Sequence, residues 1–510
     1  MKMNENQYLE LFRTDRPELE RLMAEAMASG AGYADIYFEC TNYTNLLLKD
    51  SQVTSGGYHE DFGAGIRVLC GERTGYSYCE TTEPKDMRAA MKAAMAICAA
   101  GRGSAAGSPG LRAGNRCSDP VNGSRRGVHG PGVPGLENAA GHAAGQENRL
   151  YGMRESWETC SRERMVGTLK RIEEELRRRE PRVVKVIAQI SDSVSRVMMF
   201  NSLGELTCET RPMGSISVSA VFSGHGLDGK PMNVTKSDSR SFRMGAEMLS
   251  ETLVRELADG VLRNLDARFE AVRPKGGKMP VVMGAGASGI LLHEAMGHAF
   301  EADFNRKGQS IFSDRMGQRV CAKGIGIVDD GTIPGNRGAC FYDDEGVRGQ
   351  KTFMVEDGVL TSYLHDRISA SCYGVSPTGN GRRENFRFNP IPRMRATYME
   401  NGDRDAPDIV ASVKRGIYVD EFSNGQVQIG EGDFTFFVNS GFLIENGRLT
   451  APVKDINVIG NGPKALADIT MVGNDLKISN GTWTCGKDQS VPVSVGIPTV
   501  LIKSLTVGGE

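Results

Sequence analysis

No run of eighteen or more apolar residues occurs anywhere in this chain, so no membrane-spanning helix is expected. The opening MKMNENQYLELFRTD has no apolar core of the kind a secretory signal needs. Eleven cysteines are scattered without a single C-x-x-C, which argues against both a disulfide framework and a paired-thiol zinc module. Reduced thiols in a cytoplasmic protein are the expectation. Neither sign of charge prevails: 61 Lys and Arg face 63 Asp and Glu, for a net charge of −2. Such a balance points to neither nucleic acid nor a membrane surface as partner. Histidine is scarce, with seven in 510 residues, a length that allows two or three domains and a large core.

Two of those seven histidines stand close together. The stretch from Gly284 to Phe304 reads GAGASGILLHEAMGHAFEADF and carries His293, Glu294 and His298 inside an apolar helical run. Zinc peptidases use H-E-x-x-H, with the histidines on one helical face and the glutamate as base. Here the spacing is H-E-x-x-x-H, one residue longer. On a regular α-helix five residues turn through roughly 500°, which leaves the second imidazole about 140° from the first. A π-helical turn absorbs one residue and restores a common face. Gly297 is the expected place for it, since glycine tolerates unusual backbone angles. The preceding Gly284, Gly286 and Gly289 spell G-x-G-x-x-G after the expected strand Pro280 to Met283. A dinucleotide site would need further βαβ units upstream, which the pattern lacks, so these glycines read as a tight strand-to-helix turn.

Along the chain, Arg16 to Ser29 has an apolar face of Leu19, Leu22, Met23, Ala26 and Met27 and predicts a helix. Short strands follow between Ala34 and Tyr78 as a meandering sheet, and then a helix over Lys85 to Ala100. From Gly101 to Arg164 large apolar residues almost vanish, as in a linker or a segment translated in a shifted reading frame. Cys117, His129, His142 and Cys160 fall there with spacings that match no zinc module. A helix from Arg164 to Arg179 precedes more short strands: Val183 to Ile190, Arg196 to Asn201, Glu205 to Glu209 and Ile216 to Phe222. Ser237 to Ala271 reads as mostly helical. The expected fold class is α+β, with an N-terminal mixed α/β domain over residues 1–275. A mostly antiparallel β domain carrying a metal-binding helix follows over 276–510.

Catalytic zinc takes three protein ligands. Beyond His293 and His298, the third candidates are Glu301, Asp303, His365 and Cys485, and composition does not choose among them. Arg382 and Arg383 are candidates to hold a peptide carboxylate or to serve the structure alone.

Several motifs recur in order: YADIYFE, GAGIRVLCGERTGYSY, LLHEAMGHAFEADF, YLHDRISA, GRRENFRFNPIPRMRATYM, FLIENG, TCGKDQSVPV and LTVGG. With them the chain resembles the TldD/PmbA family of zinc metallopeptidases, in its TldD-type form. The resemblance implies zinc held by His293, His298 and Cys485, with Glu294 as the base acting on a zinc-bound water. It also implies hydrolysis of unstructured peptides or small unfolded proteins, and a PmbA-type (TldE-like) partner subunit or a homodimer. The segment Gly101–Arg164 does not resemble the family, and CGKDQS is one residue shorter than the common CGK-x-GQS form. Strand edges of the β domain are expected to take an extended peptide by main-chain pairing. The alternative from another class is a non-catalytic subunit that binds and modulates a partner peptidase.

Overall fold

The computed structural model describes residues 3–100, 150–428 and 430–509. The N-terminal half is built on one antiparallel sheet of six strands: β1 (Tyr33–Lys49), β2 (Gln52–Cys70), β3 (Arg73–Cys79), β4 (Val183–Asn201), β5 (Leu206–His225) and β6 (Pro231–Phe242). Their spatial order is β3-β2-β1-β4-β5-β6, two three-stranded meanders joined edge to edge through β1 and β4. Four of these strands run to 17 residues or more, where the sequence predicts short pieces. The polar stretch Ser191–Ser195, which divides β4 in the sequence pattern, is hydrogen-bonded on both sides, to β1 and to β5. Neighbouring backbone on each edge holds it extended despite its composition.

Alternate residues sort the sheet into two faces. Ile36 and Phe38 on β1 and Met198 and Phe200 on β4 pack under α1 (Glu5–Leu11), α2 (Arg16–Ala28) and α3 (Pro84–Ala100). Leu46, Leu48, Val186, Ala188 and Ile190 pack on the same face under α4 (Arg162–Arg179) and α5 (Glu251–Leu262). Asp15 and Ser161 cap α2 and α4, each accepting a hydrogen bond from a first-turn amide. The predicted helix over Ser237–Ala271 is only partly present. Ser237 to Phe242 pair with Gly214–Ser219 as the end of β6, and helix begins at Glu251.

Residues 101–149, with Cys117, His129 and His142, lie outside the described residues. The remainder of the segment predicted to lack structure joins the fold: Tyr151 and Trp157 are buried, and Trp157 donates to the Met244 carbonyl. Cys160 is buried too. Thiols are not universal among the cysteines. Cys70 at the end of β2 and Cys98 near the end of α3, with Cα atoms 6.3 Å apart, are joined as a disulfide. Packing of α3 across β2 and β3 brings the two together, which spacing along the chain does not reveal.

The C-terminal half contains a closed ring of five strands. Gly277–Met283 pairs with Arg415–Val427 in parallel and with Val500–Gly509 antiparallel. Asp433–Glu445 and Ile456–Asn461 complete the ring. A second sheet contains Lys351–Glu356, Ile327–Asp330, Ala396–Met399 and Ser494–Ile497. One large core fills the space between ring and sheet, and the segment from Leu291 to Phe300 runs through it. The α+β class holds, with the strand pairings of the C-terminal half mostly antiparallel; among the described residues two pairs of its named strands are parallel.

The second face of the six-stranded sheet meets this C-terminal half. Tyr37, Val197 and Met199 pack on Phe386. Gly63 and Gly65 are glycines because a Cβ at either would strike the ring or the carbonyl of Phe386. Arg67, fully buried, pairs with Asp35 and, at 2.6 Å, with Glu345. Arg211 bonds Glu209 and Asp344 in the same layer. The acidic turn at Tyr342–Gly346 is thus the counter-charge of a buried interface.

Candidate metal centre

The strand Gly277–Met283 ends in the glycine turn, and each glycine there has a separate cause. Gly286 has φ +108°, a conformation L side chains rarely adopt. A Cβ on Gly284 would lie 2.3 Å from the Tyr418 hydroxyl, and one on Gly289 would lie 2.7–2.9 Å from the backbone of Gly496. The turn serves packing, as the strand-to-helix reading expects.

One short helical turn, Ile290–Leu292, leads into a π-helical turn at His293–Gly297. The extra residue is absorbed there, and the two imidazoles come together with ring centroids 5.1 Å apart. Gly297 does not act through its backbone angles, which are ordinary helical ones at φ −55° and ψ −50°. It is needed for space: a Cβ would fall 2.0 Å from the sulfur of the fully buried Met394. That contact is invisible in sequence.

Cys485 arrives from 187 residues further along the chain, on a two-stranded hairpin of Thr484–Lys487 and Gln489–Pro492. Asp488 alone turns the hairpin, with φ +56°. The shortened CGKDQS loop therefore closes tightly without carrying Cys485 away from the histidines. Cys485 Sγ lies 3.2 Å from His298 Nε2, and ligand atoms of His293, His298 and Cys485 all lie within 4.8 Å of one another. All three residues are buried. Glu294 sits half-buried on the same turn and accepts no hydrogen bond among the described residues.

The other candidates for a third ligand have different partners. Glu301 is fully buried, takes a 2.9 Å hydrogen bond from His298 Nδ1 and pairs at 2.9 Å with the Lys487 ammonium. Asp303 pairs with the same ammonium at 2.8 Å. His365 is buried 3.3 Å from the Ser369 hydroxyl, outside the cluster, and burial lowers its imidazole to about 4. Arg382 and Arg383 are buried as well. Arg382 donates to the carbonyls of Met394 and Pro492, and Arg383 donates to the Asp344 carbonyl.

Lys487 and Arg393 escape the reading of the sequence. Cys485 and Lys487 are two apart on one strand and so share a face. The thiol reaches His298 while the ammonium reaches the carboxylate behind His298, and the C-G-K spelling contains that signal. Arg393, fully buried, donates to the carbonyls of Cys485 and Gln489. It fixes the hairpin and also occupies main-chain acceptors that a pairing peptide would need.

The electrostatics favour anionic sulfur. Burial alone would raise the Cys485 thiol, yet the neighbouring His293 and His298 bring it down to about 4. Burial works against a charged His298, but the Glu301 carboxylate and the Cys485 sulfur raise it to about 10. Glu301 in turn is lowered to about 2, since Lys487, His298 and Arg393 outweigh its burial. A proton held between thiolate and imidazole is what a dication would displace. The donor set fits zinc: two imidazoles, one thiolate, and a carboxylate that orients His298 from behind. His293 Nδ1, a buried nitrogen without a partner among the described residues, fits the same assignment.

Comparisons with known proteins agree over three segments of the chain. Residues 276–509 match the PmbA/TldA metallopeptidase C-terminal domain, 34–98 its domain 1 and 156–265 its central domain. The metalloprotease TldD homolog of Buchnera aphidicola is 34% identical over 480 residues, covering 94% of this chain and 92% of that protein. The Haemophilus influenzae homolog is 34% identical over 483 residues, with 94% and 93% covered. A zinc metalloprotease TldD homolog of Saccharolobus solfataricus is 34% identical over 255 residues, 49% of this chain and 56% of that one. Among solved structures, TldE of Thermococcus kodakarensis superposes with a TM-score of 0.67 at 18% identity, covering 96% of this chain and all of that one. A candidate modulator of a DNA gyrase from Thermotoga maritima gives 0.71 at 21%, covering 96% and 99%. On the length and identity of these matches, the chain belongs to the TldD/PmbA family.

Proposed function

We propose that the chain is a zinc-dependent peptidase of unstructured peptides, with zinc held by His293, His298 and Cys485. The observation that carries this is the approach of those three side chains to within 4.8 Å, on a π-turn that also bears Glu294. Bound zinc supplies Lewis acidity towards a scissile carbonyl and towards water. Glu294 is the base that takes the proton from the attacking water and delivers it to the leaving amine. Glu301 holds His298 by its Nδ1–H, which leaves Nε2 for the metal. Lys487 neutralises Glu301, and Arg393 fixes the strand that presents the thiolate.

A TldE-like partner or a second copy of this chain completes the working assembly in this reading, on the strength of the family and of the TldE fold likeness. A modulating, non-catalytic role would require neither the thiolate nor Glu294. The experiment is Glu294→Gln in the purified, co-expressed assembly. Hydrolysis of an unfolded peptide should fall by at least about a hundredfold while zinc content stays near one per chain. A variant that keeps its activity removes Glu294 from this role, and a wild-type chain that purifies without zinc-dependent hydrolysis sinks the peptidase reading.

A further inference from the structure

A cavity of about 260 Å³ lies between the six-stranded sheet and the C-terminal half, with the Thr484–Pro492 hairpin as one wall. In that hairpin Thr484 pairs with Pro492 and Cys485 with Val491. Neighbouring strand residues point to opposite faces, so Thr484 turns to the cavity while Cys485 turns to the histidines. The cavity and the candidate metal centre are separated by a single layer of chain.

Six arginines reach this space: Arg211, Arg243, Arg337, Arg382, Arg383 and Arg395. Among the described residues only Arg211 has carboxylates within 4.0 Å, those of Glu209 and Asp344. Arg382, Arg383 and Arg395 donate to main-chain carbonyls. Arg337 donates to the Trp483 carbonyl and to the hydroxyls of Ser215, Ser241 and Thr484. The Arg243 side chain makes no hydrogen bond among the described residues, and its Nε is buried without a partner. Negative groups balance this only in part: Asp343 and Asp344 act on Arg395, which is raised despite its burial. Asp344 is committed to Arg211, Glu384 accepts from the Ser490 amide, and Glu39 accepts from Thr41 and the Phe386 amide. Burial moreover raises Glu39 to about 7, which halves its charge near neutrality.

Carbonyls and hydroxyls orient guanidinium groups but leave their charge uncompensated, and buried charge is unfavourable without a counter-ion. Low-dielectric walls lined by one sign also concentrate the field inside a cavity. On a peptide, the groups that answer such a field are carboxylates, which accept from guanidinium forks in two parallel hydrogen bonds.

We propose that this cavity is an anion subsite for the peptide substrate, taking a carboxylate of the substrate against Arg243 and Arg337. The carboxylate belongs either to an Asp or Glu side chain or to the peptide's C-terminal end. The inference rests on the peptidase reading, because only a peptide engaged at the metal centre has reason to reach across the hairpin.

The test is calorimetric binding to the zinc-loaded, full-length Glu294→Gln chain, with three peptides of one extended sequence. The first has a central Glu and a free C-terminus, the second replaces Glu by Gln, and the third is C-terminally amidated. Loss of the engaged carboxylate should weaken binding on the order of tenfold, and whichever peptide suffers identifies the source. That preference should vanish in Arg243→Gln or Arg337→Gln and persist in Arg243→Lys, with circular dichroism confirming the fold of each. Equal binding of all three peptides, no binding of any, or a preference surviving in both glutamine variants overturns the proposal. Cleavage by the unsubstituted chain is scored apart. Carboxylate-dependent binding without cleavage defeats the peptidase reading alone, and cleavage indifferent to the carboxylate defeats the subsite alone.

Discussion

Cys485 and Glu301 compete on paper for the third place beside His293 and His298, and their surroundings separate them. The sulfur lies 3.2 Å from His298 Nε2, whereas the carboxylate lies 2.9 Å from the far nitrogen, Nδ1. One is placed to bind what the ring binds; the other holds the ring. Cys485→Ala should therefore purify with little or no zinc. Glu301→Gln should keep zinc with an affinity about 10- to 100-fold weaker, the usual cost of losing an orienting partner. Metal analysis and competition with a chromogenic chelator read both. The reverse pattern would give Glu301 the ligand role. Calorimetry adds an independent measure: with His298 at about 10 and Cys485 at about 4, zinc uptake at pH 8 should release about one proton from His298.

At the scale of elements, the irregular turn is the part that must not be improved. His293–Gly297 holds one residue more than an α-turn, and Gly297 fits only because nothing stands between its Cα and the Met394 sulfur. Gly297→Ala should overpack that contact, destabilising the chain by about 1–3 kcal/mol and lowering zinc occupancy. Thermal melting and metal content measure the two effects. A variant unchanged in both would show that Met394 moves aside freely. The π-turn is legible in sequence because histidines five positions apart violate helical phase, whereas the Met394 contact joins residues about a hundred apart and leaves no local trace. The same contrast runs through the sheet. The polar middle of β4 breaks the apolar pattern, so it reads as two strands, and only pairing with β1 and β5 makes it one. The helices α2, α3 and α4 fall near their predicted bounds, since their apolar stripes and caps are local. Lys487 was two residues from Cys485 and Arg393 was in a quoted motif, yet their roles depend on where the hairpin lands.

Across the whole molecule, acids are buried where the sheet meets its helices and where it meets the C-terminal half. Asp192 stands between Ile190 and Val194 on the helix-covered face, its Oδ2 without a partner among the described residues. Burial raises its carboxyl from 3.8 to about 7. Glu39, on the other face, is raised to about 7 for the same reason. The folded chain thus holds these protons more tightly than the unfolded chain. Their contribution to stability is complete near pH 4 and is lost as pH rises through 7. The melting temperature should fall between pH 5 and pH 8, and Asp192→Asn should remove part of that fall, on the order of 1–3 kcal/mol at pH 8. An unchanged pH profile in the variant would mean that Asp192 ionises freely in the fold.

The hairpin that presents Cys485 also sets a clock. His298 leaves the ribosome 187 residues before the thiol that faces it, His293 earlier still, and the first strand of the ring, Gly277–Met283, waits longer again for its partner Val500–Gly509. A half-made chain carries the histidines and the glutamate but lacks the third donor and the strand that closes the barrel. The group of His293, His298 and Cys485 therefore comes together only once synthesis has passed the hairpin that carries the thiol.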